Sequence, residues 1–173
     1  MRGALSTVAF AVICAGGAAQ AAEPPLAARL TAVEDRLAIN QLVAGDYVRA
    51  LDSQNWTAYA ATYTEDGQLS VFGQNMKSRA EILKFFTTPR ANPDAPRKIN
   101  HVISSLSYKI EGDRASGGAY WEDIGIAPNG QPGVLSAGHY EDTLRKVGGQ
   151  WLFSKRTIVT DFAEPAAPAP KPK

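Results

Sequence analysis

His101 and His139 are the two histidines of this chain, and an imidazole is the side chain whose ordinary pKa lies nearest neutrality. His101 opens the alternating run Ile99-Asn100-His101-Val102-Ile103, which reads as a strand. An imidazole held beside a carboxylate has its tautomer fixed and its charged form favoured, which makes it a base that can later return its proton. Asp52 and the Glu122-Asp123 pair are the carboxylates of interest. Tyr47 is a phenol on an apolar stripe, and such a hydroxyl can donate a hydrogen bond to a carbonyl as enolate charge develops. Each of these residues also has a plain structural reading. A strand histidine can be packed, Asp52 can cap the helix that follows it, Tyr47 can be core, and an acidic pair at a strand end can simply be solvated.

Other chemistries lack their residues. Two histidines far apart in the sequence make a poor metal pair, and the single Cys14 allows neither a cysteine zinc site nor an intrachain disulfide. No metal and no other cofactor is expected. A Gly-rich phosphate loop and a nucleophile elbow are also absent from the sequence.

The elements that position these residues can be read from periodicity. Leu26, Leu30, Val33 and Leu37, then Ile39, Val43, Tyr47 and Ala50, predict a long first helix over 26–51, with Glu34, Asp35 and Arg36 toward solvent. Gly45 is a place for it to bend. Residues 52–55 break the helix and cap a second one over 56–63. A turn at 64–67, a short strand at 68–72 and a third helix at 79–87, capped by Ser78, follow. Residues 89–96 read as a loop. Strands are expected over 98–110, 114–126, 135–147 and 151–162, separated by a turn at 111–113, a loop at 128–133 and a Gly148-Gly149 turn. Helices followed by a meander give an α+β domain with helices on one face of a curved sheet.

The chain has 173 residues, of which 45% are hydrophobic and 20% charged, a globular profile for one domain. Its 18 basic and 17 acidic side chains give a net charge of +1, which argues against nucleic acid as a partner. Residues 1–21 pair a basic Arg2 with an apolar core and end Ala19-Gln20-Ala21, the pattern of a secretory signal peptide. Ile13 precedes Cys14 where a lipoprotein would carry a small residue. Export to the periplasm or exterior is therefore expected, with no membrane span after cleavage. Residues 163–173 are a Pro/Ala/Lys tail that cannot form a core, which leaves a globular unit over 25–162.

The stretch Tyr47-Val-Arg-Ala-Leu-Asp52-Ser-Gln-Asn-Trp56 resembles the first-helix signature of SnoaL-like proteins, in the superfamily of nuclear transport factor two. Gly138-His139-Tyr140-Glu141-Asp142-Thr143-Leu144, followed by Gly149-Gln150-Trp151, resembles the family's penultimate hairpin. The resemblance spans residues 30–159. It implies a cone, a curved antiparallel or mixed sheet wrapped around the N-terminal helices to enclose an apolar pocket. In the family's dehydratases a strand histidine pairs with an aspartate after the first helix. His101 and Asp52 match those two positions, Tyr47 matches a tyrosine earlier on the helix, and Asp123 matches a second acid. Gly138 and Tyr140 then face inward and His139 outward. Leu51 stands where scytalone-type enzymes carry tyrosine, so scytalone is not the expected substrate.

These residues support two main functions. One is a cofactor-independent dehydratase or isomerase for a small, cyclic, apolar carbonyl compound, with His101, Asp52, Tyr47 and Asp123 catalytic. The other is a binding protein using the same pocket without chemistry. Trp56, Tyr59, Val71, Phe85, Phe86 and Tyr140 are the expected lining, with Arg156 at the mouth to hold a carboxylate. A third possibility is a homodimer-forming module that packs through the outer sheet face carrying His139, Glu141 and Thr143.

Overall fold

The computed structural model describes residues 23–88, 99–127 and 130–163. The expected signal segment, most of the tail and the 89–96 loop lie outside the described residues.

The first helix runs the expected length but in three pieces. α1 (Leu26–Asn40) passes into a π-helical stretch at Gln41–Asp46, around Gly45, and then into α2 (Tyr47–Asp52). α3 is Trp56–Ala61, and its N-cap is Asn55, whose side chain accepts a hydrogen bond from the Ala58 N–H at 3.1 Å. Asp52 is therefore free of the capping duty that its position allowed. α4 (Arg79–Thr87) begins as expected at Ser78, which accepts from the Glu81 N–H at 3.2 Å.

Six strands form one sheet: β1 (Tyr63–Val71), β2 (Gln74–Met76), β3 (Asn100–Glu111), β4 (Arg114–Ile126), β5 (Pro132–Val147) and β6 (Gln150–Ala163), in the order β2-β1-β6-β5-β4-β3. Neighbours are antiparallel except β1 and β6, which are parallel. The expected turn at 64–67 is instead an irregularity inside β1, where the register against β6 shifts between Tyr63 and Gln68. β2 returns along β1 through Phe72-Gly73, whose φ values of 52° and 72° are those of a tight hairpin turn.

The core is aromatic as well as aliphatic. Ile39, Val43, Tyr47, Tyr59, Tyr63 and Phe153 are at most 1% exposed. Gly138 sits where β5 bends against its neighbours. A Cβ there would lie 1.9 Å from the Val159 carbonyl oxygen and 2.8 Å from the Trp121 ring. Because a backbone atom cannot swing aside, Gly138→Ala is expected to destabilise the domain by about 1–3 kcal/mol in denaturant unfolding.

One expectation about α1 is reversed. Asp35, read as solvent-facing, is buried, while Leu26, Leu30, Val33 and Leu37 are exposed. Asp35 accepts hydrogen bonds from Lys146 Nζ at 2.7 Å and Trp151 Nε1 at 2.9 Å, which turns this side of the helix onto the sheet. Burial alone would raise its carboxyl, but those two hydrogen bonds and the lysine charge outweigh it and hold it below the ordinary value. With the folded pKa depressed, the stabilisation is present above the ordinary carboxylate range and fades as pH falls through the folded value. Asp35→Asn should be less stable than wild type at neutral pH, with the gap closing on acidification in pH-dependent thermal melts.

Candidate active site

His101, Asp123 and Ser136 are cross-strand neighbours on β3, β4 and β5. Direct pairing puts their side chains on one face of the sheet, here the concave one. Asp52, the last residue of α2, reaches the same point from the helices. His101 Nδ1 lies 2.6 Å from Asp52 Oδ1, and the His101 backbone N–H donates to the same oxygen at 3.2 Å. A carboxylate can only accept, so Nδ1 carries the proton and Nε2 is the nitrogen left for chemistry. Nε2 lies 3.1 Å from Asp123 Oδ1.

Asp123 is held from its other side, where the Ser136 hydroxyl donates to Oδ2 at 2.6 Å. Oδ1 is buried and receives no aligned hydrogen bond among the described residues. The Nε2 contact is thus a close approach without hydrogen-bond alignment, and Oδ1 keeps acceptor capacity. Glu122, by contrast, points outward and is exposed. The imidazole and Asp123 side chains are each 18% exposed and Asp52 27%, so the group is half-buried yet reachable.

His101, Asp123 and Ser136 lie on the wall of a cavity of about 320 Å³. Tyr47, Tyr59, Val71, Phe86 and Tyr140 line it, as expected from the sequence. The Tyr47 and Tyr59 hydroxyls lie 3.1 Å apart. The Tyr59 hydroxyl also lies 3.5 Å from that of Tyr63, so the three phenols form a buried chain. Burial first, and then the neighbouring phenols, raise the Tyr59 pKa well above its ordinary value, and burial does the same for Tyr140. Both stay protonated and remain donors.

Three expected lining residues are elsewhere. Trp56 lies behind Phe86, stacked on it with ring centroids 4.9 Å apart, and Phe85 meets Phe86 edge-on at 5.1 Å without reaching the cavity. Arg156 is not at the mouth. It is 0% exposed and forms a two-point ion pair with Asp142, Nε to Oδ1 at 2.8 Å and Nη2 to Oδ2 at 2.7 Å. Its guanidinium lies 4.2 Å from the Tyr47 ring centre, 3.8 Å from Tyr140 and 3.9 Å from Phe153. Tyr108 donates to Asp142 Oδ2 at 2.5 Å. Arg156 therefore supports two cavity tyrosines from below and meets no solvent.

Leu51, Phe72, Trp121, Ser136, Ile158, Thr160 and Ala163 complete the lining and are absent from the sequence-based expectation. Ser136 could have been found by stepping back two residues from Gly138 on the inward face of β5. Phe72 gave no signal: it occupies a left-handed turn position, 74% exposed, at the cavity edge. His139 faces outward as expected, 3.2 Å from Asp161. The described residues contain no group of three or more histidine, cysteine or acidic side chains able to hold a metal ion, and none of their helices is long and apolar enough to cross a membrane.

The family model for the SnoaL-like domain matches residues 31–157. No curated protein matches the chain. Among solved structures, a protein of unknown function from Mycobacterium tuberculosis is 26% identical, with a TM-score of 0.64 over 75% of this chain and 77% of that one. An NTF2-like protein with a cystatin-like fold from Novosphingobium aromaticivorans is 25% identical, with a TM-score of 0.67 over 79% and 88%. A candidate scytalone dehydratase from the same organism is 24% identical, with a TM-score of 0.65 over 82% and 99%, a likeness of fold alone.

Proposed function

Because the chain belongs to the SnoaL-like domain family, whose fold serves both catalysts and binders, we propose that it is an exported, cofactor-independent acid–base catalyst. It eliminates water from, or isomerises, a small cyclic apolar carbonyl compound. One observation carries this reading: an imidazole anchored through Nδ1 to Asp52 presents Nε2 to an apolar cavity, with a second carboxylate 3.1 Å away. A cavity of about 320 Å³ is at the small end of ligand sites, about 300–1,000 Å³, and suits a compound of one or two rings.

Nε2 takes the proton alpha to the substrate carbonyl, and the released electron pair moves into the carbonyl to form an enolate. The charge that develops on Nε2–H is balanced by Asp52 and Asp123, and the enolate oxygen accepts a hydrogen bond from the Tyr47–Tyr59 hydroxyl pair. When the enolate collapses, the bond to the beta hydroxyl breaks. That oxygen leaves as water after receiving the same proton from the imidazolium, passed on through the Asp123 carboxylate beside Nε2. If the substrate has no leaving group, the imidazolium returns the proton at a different carbon and the reaction is an isomerisation.

The test is a panel of cyclic beta-hydroxy ketones incubated with the protein in deuterated water. Proton NMR should show alpha-proton exchange, and ultraviolet absorbance should show the unsaturated ketone. Asp123→Asn should keep the exchange and lose most of the elimination, because only the second step passes a proton through that carboxylate to the leaving oxygen. A protein that binds these ketones yet catalyses neither step would be a binder, and the catalytic reading would fall.

A further inference from the structure

α1 carries an apolar surface that neither the core nor the site uses. Leu26, Leu30, Val33 and Leu37 are 77%, 56%, 55% and 62% exposed. Their spacing of four, three and four residues places them at successive d, a, d and a positions of a heptad, the seam of a coiled coil. Residues 26–34 are exposed throughout, and Asp35 and Ile39 are the helix's buried residues. A helix of 15 residues is marginal in water without tertiary packing. The N-terminal half of α1 thus presents a hydrophobic seam with nothing in its own chain packed on it among the described residues.

We propose that α1 is a self-association element, its seam packed in parallel against α1 of a second copy of this chain. The charges beside the seam select that partner. With Leu30 at a, Arg29 falls at g and Glu34 at the following e position. In a parallel pair, g of one helix faces the next e of the other, so Arg29 meets Glu34 of the second copy twice, once on each side. An antiparallel pair would instead set g against g and bring Arg29 toward Arg36. Within its own chain Arg29 Nη1 contacts Glu23 at 3.2 Å, but both side chains are largely exposed, and such a pair is worth little. Asn40 stands at the next d position, where a single polar residue helps fix register.

The experiment is sedimentation equilibrium on the full chain over a range of concentrations. The wild type should show a mass above one copy, a dimer or larger assembly, and Leu30→Asp/Leu37→Asp should weaken association by on the order of a hundredfold or more. Both positions are exposed, so circular dichroism and thermal melting should show the variant folded. Arg29→Glu alone and Glu34→Arg alone should each associate more weakly than wild type, and an equimolar mixture of the two should recover it. A wild type that remains a single copy overturns the proposal. So does a double variant that keeps the wild-type mass, for instance if Tyr120→Arg on the outer sheet face is what lowers it. Stronger association of Arg29→Glu would overturn the parallel arrangement.

Discussion

His101→Ala is expected to reduce turnover by on the order of a thousandfold while leaving the fold and ligand affinity nearly intact. The imidazole is half-buried on the cavity wall and is not a member of the core cluster, so its removal should shift the melting temperature little. Apolar ligands are held chiefly by the aromatic lining, so a dissociation constant from fluorescence or calorimetry should stay within a few-fold of wild type. Asp52→Asn should cost a comparable amount for a different reason. An amide at that position can donate to Nδ1, which moves the ring proton to Nε2 and removes the base from the cavity. Because both residues serve one proton transfer, the double variant should be no worse than the poorer single one. Full activity in His101→Ala would end the catalytic reading, whereas a matched loss of affinity and rate would assign the imidazole to binding.

Arg156→Leu should lower stability by about 3–5 kcal/mol, because it strands the buried Asp142 carboxylate without its cation. For a domain of this size that corresponds to a fall in melting temperature of about 10 °C or more. Burial opposes the charge on Arg156, but the attraction and hydrogen bonds of Asp142 exceed that penalty and raise its pKa well above the ordinary value, so the guanidinium stays charged. Removing both charges together, as Arg156→Leu/Asp142→Leu, should recover much of the loss. The Tyr108 hydroxyl would then lack its acceptor, so recovery should stop short of wild type. Since Arg156 lies against the Tyr47 and Tyr140 rings, the double variant should also bind apolar ligands less tightly than wild type. A melting temperature unchanged in the single variant would mean the pair is not enclosed as described.

Periodicity alone was enough to place α4 and the four long strands, because each is bounded by a strong cap or turn and has one clear buried face. The reading of α1 failed because two apolar stripes run along the helix. Leu26, Leu30, Val33 and Leu37 form the more regular one, but the polar Asp35, satisfied by Lys146 and Trp151 from distant strands, decided which side turned inward. Such a long-range hydrogen bond leaves no mark in a local pattern. The meeting of His101 with Asp52 followed from the family resemblance, and Ser136 lay within reach of the same period-two step that turns Gly138 and Tyr140 inward. Arg156 was misplaced because a charged residue on a strand is ordinarily solvated, and only Asp142 opposite it makes full burial tolerable.

The order β2-β1-β6-β5-β4-β3 also governs how the molecule can be made. β6, the final strand in the chain, is the one that joins the helix-bearing β1–β2 unit to the three-stranded meander. Its partner residues are remote, as in Tyr63 paired with Phe153. Until β6 has been synthesised, β1 has an unpaired edge and the cavity has no closing wall. The domain therefore cannot mature strand by strand on the ribosome. Its aromatic interior waits for a late, long-range closure, a slow and aggregation-exposed class of folding event, and during that interval holdase chaperones would have their greatest effect on yield.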